Sequence, residues 1–188
     1  MKDLTLSIFL VLVAVLFRTS FHLGPNFELV TSACLMAGYF IQNPKIRIAV
    51  PLAIMLISDT LIGNGLIFIF TWSAYLVTPF IGKFVNSKFK SNKIKLVLAL
   101  EGSAIASVVI FFLWTNFGVV LVSNMYPHNV EGVISSYING LPFIKPQLFS
   151  AIITTPILFT ISALIVKVSE KIQFNLAFKK NTELSELV

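Results

Sequence analysis

Fourteen residues able to bond, pair or titrate fall on one side of the membrane when the apolar runs of the chain are laid out as alternating spans: Arg18, His22, Asn26, Glu28, Asp59, Asn64, Asn116, Asn124, Tyr126, His128, Glu131, Tyr137, Asn139 and Lys145. Polar groups facing hydrocarbon are costly, so such residues face a bundle interior, water or each other. Their grouping therefore implies a polar cavity opening at that end. Asp59 is the most informative member. It lies in the last turn of an apolar run, where the helix dipole disfavours an anion, and needs a cationic or hydrogen-bonding partner. Arg18 ends another run at a similar depth, which predicts either an Arg18–Asp59 contact or a ligand shared between them. An ion pair that only satisfies two charges explains the same pattern. Glu28 opens a run, where the dipole favours an anion, and helix capping accounts for it as well as ligand binding does. Asn116, within Trp114-Thr115-Asn116-Phe117-Gly118, is an amide in a long apolar stretch and must find either a ligand or a neighbouring helix. The candidate substrate-binding residues are accordingly Arg18, Asn26, Glu28, Asp59, Asn116, Tyr126 and Tyr137.

Other chemistry is missing from the sequence. The phosphate-cradling Gly-x-x-x-x-Gly-Lys-Ser/Thr loop, the His-Glu-x-x-His zinc motif and the Gly-x-Ser-x-Gly nucleophile elbow do not occur. His22 and His128 have no ligand spacing and read as interface residues. Cys34 is the one cysteine and sits in an apolar run, where it reads as a small packing residue. Glu101 lies inside the fifth run, away from the other polar groups, and reads either as a pair for nearby lysines or as a contact for a partner protein. These features predict a protein that is not an enzyme, with no catalytic residues, no metal and no cofactor.

Composition sets the elements that must position these groups. Of 188 residues, 56% are hydrophobic and 12% charged, with a net charge of +6, and the mean hydropathy is +0.90, which excludes an ordinary water-soluble domain. A basic balance of this kind would suggest nucleic acid in a soluble protein. In a membrane protein it reflects Lys and Arg on the cytoplasmic side, and no nucleic-acid partner is expected. The fold class expected is all-α, a polytopic membrane bundle of about six transmembrane helices. The spans are about 4–23, 27–41, 46–62, 66–82, 96–122 and 148–166. Together they form one domain over 1–166, followed by a polar, amphipathic cytoplasmic tail over 167–188. Gly24-Pro25-Asn26 and Gly63-Asn64-Gly65 supply turns. The stretch 124–146 is the longest between spans, and its segment 130–139 has the mixed pattern of an interfacial or re-entrant helix.

This alternation places Lys2, Lys45, Arg47, Lys83, Lys88, Lys90, Lys93, Lys95, Lys167, Lys171, Lys179 and Lys180 on one side and leaves Arg18 and Lys145 on the other. By the positive-inside rule both termini are cytoplasmic and the polar cluster faces outward. The location expected is the cell inner (plasma) membrane.

Gly24-Pro25-Asn26-Phe27, Ser58-Asp59 closing the Pro51-containing run, Thr115-Asn116-Phe117-Gly118, Tyr126-Pro127 and Gly140-Leu141-Pro142-Phe143 occur in this order. In these motifs the chain resembles an uncharacterised family of small bacterial integral membrane proteins. That family in turn resembles the substrate-binding S components of energy-coupling factor (ECF) transporters. The resemblance covers roughly 17–164 and matches Asn26, Asp59, Asn116, Tyr126 and Pro142 to family positions. It implies a six-helix bundle with an outward ligand site and docking onto a T-component and two ATPases. The function expected is capture of a small molecule for import, with 124–146 as a lid. The alternatives are an autonomous ion-coupled carrier using Asp59 or Glu28, and a noncatalytic structural or assembly protein.

Overall fold

The computed structural model describes residues 2–21 and 26–185, without the side chains of 179–181 and 183–185. His22 and the Gly24-Pro25 part of the expected turn lie outside the described residues. The fold is an all-α bundle of six helices: α1 (Lys2–Thr19), α2 (Val30–Phe40), α3 (Pro44–Ile62), α4 (Phe68–Phe89), α5 (Lys93–Val122) and α6 (Val130–Ser185). No strand occurs among the described residues. Asparagines start two of these helices. The Asn43 side chain accepts from Lys45 N at 2.9 Å with Pro44 in the first turn, and the Asn92 side chain accepts from Lys95 N at 3.0 Å. Gly63 ends α3 at φ 77°, a left-handed conformation that suits glycine, and its N–H reaches Asp59 O at 3.0 Å.

α2 lies at the centre, with every residue from Val30 to Tyr39 buried. It packs against α1, α4 and α6 and also touches α3 and α5. At 11 residues it is about 16 Å long, well short of a hydrocarbon core of about 30 Å, so helices rather than lipid surround it. Its closest crossing is with α4: a Cβ on Gly38 would strike the Pro79 carbonyl, and one on Gly82 the Leu35 carbonyl. Just beyond the C-terminal end of α2, Asp3 of α1 accepts from Gln42 N at 3.0 Å and Asn43 N at 2.8 Å, fixing the α2–α3 turn.

α4, α5 and the 130–178 part of α6 are each long and apolar enough to cross a membrane. α1 and α3 are 18 and 19 residues long, but each carries three charged residues: Lys2, Asp3 and Arg18, and Lys45, Arg47 and Asp59. The outside of the bundle is apolar, with Leu12, Leu56, Phe80, Leu98 and Phe149 all exposed. Contiguous apolar surface of this kind fits lipid better than water.

The largest departure from expectation concerns α6. The sequence suggests a long connection, a span over 148–166 and a separate tail, yet one 56-residue helix takes in the segment 130–139, the span and the described tail. The connection between α5 and α6 shrinks to 123–129, so 124–146 is not a loop lid. Pro142, Pro146 and Pro156 lie inside this helix. Each removes one backbone hydrogen bond, a loss that kinks a helix, and neighbouring helices can re-satisfy the freed groups. A straight helix of this length would span about 84 Å, so the part beyond the bundle continues as its extension.

Near that extension Lys2 Nζ lies 2.8 Å from Glu170 Oε1. The hydrogen bond to Glu170 raises the Lys2 ammonium above its ordinary value. The stabilisation from this pair is therefore present at neutral pH and lost as pH rises through the raised lysine value. Both side chains are largely exposed, and Glu170→Gln is expected to change unfolding stability at pH 7 by less than about 1 kcal/mol.

Candidate functional site

At the bundle end opposite Lys2, Arg18 and Asp59 meet. Arg18 Nη1 is 2.6 Å from Asp59 Oδ1 and also donates to Ser58 Oγ. The second Asp59 oxygen accepts from Trp72 Nε1 at 2.6 Å and Asn64 Nδ2 at 2.8 Å. The dipole argument called for such partners, and α1, α3, α4 and the α3–α4 turn supply them together. Every oxygen of the carboxylate is occupied, and its side chain is 8% exposed against 18% for Arg18. The arrangement can hold three helices in register. No ligand is needed to balance its charges.

Glu28 precedes α2 and spends its carboxylate on the fold. One oxygen accepts from Val30 N, and the other from Thr31 Oγ1 at 3.1 Å and Tyr75 Oη at 3.2 Å. Its own N–H donates to Ser150 Oγ at 3.2 Å, and Ser150 Oγ donates to its carbonyl at 2.5 Å. One turn further along α2, the Ser32 hydroxyl lies 2.7 Å from Thr154 Oγ1 and 2.9 Å from Thr155 Oγ1. Glu28 thus caps the buried helix, while these buried hydroxyls fasten that helix to α6.

A cavity of about 240 Å³ opens between α5, α6 and the segment before α2. Phe111, Phe112, Thr115 and Asn116 of α5 line one side, Phe143, Ile144 and Gln147 of α6 another, and Asn26 closes the edge. Asn26 holds a left-handed backbone, φ 57°, which asparagine tolerates better than most residues. Asn116 is anchored: its Nδ2 donates to Phe112 O at 2.8 Å, and the Ser136 hydroxyl donates to its carbonyl at 2.9 Å. Gly140 lets α6 approach this amide, since a Cβ there would meet the Asn116 side chain. Gln147 differs from its neighbours. It is 6% exposed, it lines the cavity, and its amide makes no hydrogen bond among the described residues. Its amide atoms are not sealed from the cavity, so they can bond to a molecule that enters it.

Of the sequence candidates, the structure brings Asn26 and Asn116 to this cavity and pairs Arg18 with Asp59 elsewhere. Tyr137 stands beside Phe112 with ring centroids 6.0 Å apart and donates to Leu113 O at 3.1 Å. Tyr126 is half-buried in the 123–129 connection and does not line the cavity. Gln147 was not among the candidates, because the expected sixth span began at Leu148 and left it in a loop. Its signal was available in the helical spacing from Gly140 through Phe143 and Ile144 to Gln147, which places all four on one face.

The bundle up to residue 174, cavity included, falls within the match to a family model. That model is a family of unknown function, DUF6580, and it matches residues 1–174. The chain belongs to this family. No curated protein and no solved structure matches the chain. No group of three or more His, Cys, Asp or Glu residues able to hold a metal occurs among the described residues.

Proposed function

We propose that this DUF6580 member is a substrate-capture subunit of a multi-pass bacterial membrane importer, and that it binds a small molecule in the cavity between α5 and α6. One observation carries the reading: the Gln147 side chain lines the cavity with Asn26 and Asn116 and makes no hydrogen bond among the described residues, so its amide is open to a molecule in the cavity. The lysine distribution assigns the Lys2 end, and with it both termini, to the cytoplasm, so the cavity opens outward in the plasma membrane. The resemblance to S components of ECF transporters supplies the remaining parts. A T-component and ATPases would provide the drive, which agrees with the lack of a phosphate-binding loop in this chain.

An autonomous ion-coupled carrier needs a carboxylate free to change protonation during transport. Asp59 and Glu28 each accept three hydrogen bonds from their own fold, which favours capture over that reading. A purely structural role suits Arg18 and Asp59 but gives no use to the cavity that Asn26, Asn116 and Gln147 line.

Proteoliposomes containing the chain alone, dialysed against a small-molecule extract of bacterial cells, test the proposal by mass spectrometry of what they retain. One compound held in proportion to protein, without accumulation under a sodium or proton gradient, is the expected result. Gradient-driven accumulation would instead assign a carrier, and retention of nothing would end the capture reading.

A further inference from the structure

The cavity wall also limits the charge and shape of its occupant, an inference that rests on the capture reading above. No charged side chain lines the cavity among the described residues; its polar groups are the carboxamides of Asn26, Asn116 and Gln147 and the hydroxyl of Thr115. The Thr115 hydroxyl is already committed to Phe111 O at 2.8 Å, and the Asn116 NH₂ to Phe112 O at 2.8 Å. Gln147 keeps both its donor and its acceptor, side by side in one plane, and the exposed Asn26 amide makes no hydrogen bond among the described residues. Of the charges at this end, Arg18 pairs with Asp59 and Glu28 caps α2, while Glu131 and Lys145 are exposed and do not line the cavity. A charged ligand would lose its hydration and meet no counter-charge, a strongly unfavourable exchange. A purely apolar ligand would leave the Gln147 amide unpaired. The rings of Phe111, Phe112 and Phe143 offer apolar faces, and 240 Å³ is the space of about eight waters at roughly 30 Å³ each.

We infer that the cavity takes a small, flat, uncharged molecule with a cyclic or aryl amide edge, whose adjacent donor and acceptor pair with the Gln147 carboxamide while phenylalanine rings cover its faces. A side-chain carboxamide reads such an edge in two bonds, the geometry Asn and Gln use on the adenine edge in DNA. Asn26 and the Asn116 side-chain oxygen, which accepts only a long 3.5 Å bond from Ser136 Oγ, serve the rest of the polar perimeter.

The test titrates the full-length protein in nanodiscs with uracil and nicotinamide as neutral probes. Orotate and nicotinate serve as anionic counterparts of similar shape, and toluene as an apolar one. Saturation-transfer NMR and calorimetry give Kd. The neutral amides are expected to bind about tenfold or more tightly than the anions or toluene, and Gln147→Leu and Gln147→Met to abolish that preference. Leu and Met fill nearly the same space, so both variants are expected to melt close to the wild-type temperature, which separates lost binding from lost folding. Tighter binding of an anion or of toluene overturns the inferred class, as does neutral binding that survives both substitutions. If no neutral probe saturates, the class is overturned as well. The dialysis experiment then decides the capture reading on its own, because it uses no chosen probe.

Discussion

Asp59→Ala is expected to destabilise the fold by about 3–5 kcal/mol, because it leaves the Arg18 guanidinium largely buried without its counter-ion. Trp72 Nε1 and Asn64 Nδ2 lose their acceptor in the same step, so three elements loosen together. Thermal unfolding of the purified protein in a mild detergent measures the effect. The charge itself, rather than lost packing, is isolated by an Arg18→Met/Asp59→Leu double variant. That variant removes both ions and is expected to recover most of the stability, since replacing a buried pair by apolar residues is often neutral or better. A double variant as unstable as Asp59→Ala would show that the network matters through shape and not charge.

Valine at Gly38 or Gly82 is expected to damage the bundle at least as severely. The added carbons would meet the carbonyl groups of Pro79 and Leu35, which are backbone atoms and cannot swing aside. The loss should reach or exceed the upper end of the about 1–3 kcal/mol typical of overpacking, and the yield of monodisperse protein should fall with it. Gly102→Ala is the matching control. It lies on α5 with open space around it, and helix propensity predicts a gain of roughly 0.5–1 kcal/mol. Equal tolerance at Gly38, Gly82 and Gly102 would contradict the close α2–α4 crossing.

Much of the helical framework was legible from apolar run length and turn chemistry. The run 96–122 corresponds to α5 at Lys93–Val122, and Gly63 ends α3 as its place after the run implied. The meeting of Arg18 and Asp59 followed from their equal depth on two helices running the same way, and the shared cavity of Asn26 and Asn116 from their common end of the bundle. Glu28 was open between capping and binding, because both need an anion at a helix start; only the position of Val30 N separates them. Two features escaped for physical reasons. The stretch 124–146, with Pro142 and Pro146 near its end, was placed between spans, whereas packing against α5 holds α6 continuous through both prolines. With that continuity hidden, Gln147 was placed outside any helix, and the face it shares with Gly140, Phe143 and Ile144 went unseen.

The most direct test of a ligand site built around Gln147 is mass spectrometry of the small molecules released when the purified protein is denatured, comparing wild type with a Gln147→Leu variant of equal thermal stability. The account predicts one compound released from the wild type and missing from the variant. The same compound in equal amount from both proteins, or none from a well-folded wild type, would contradict it.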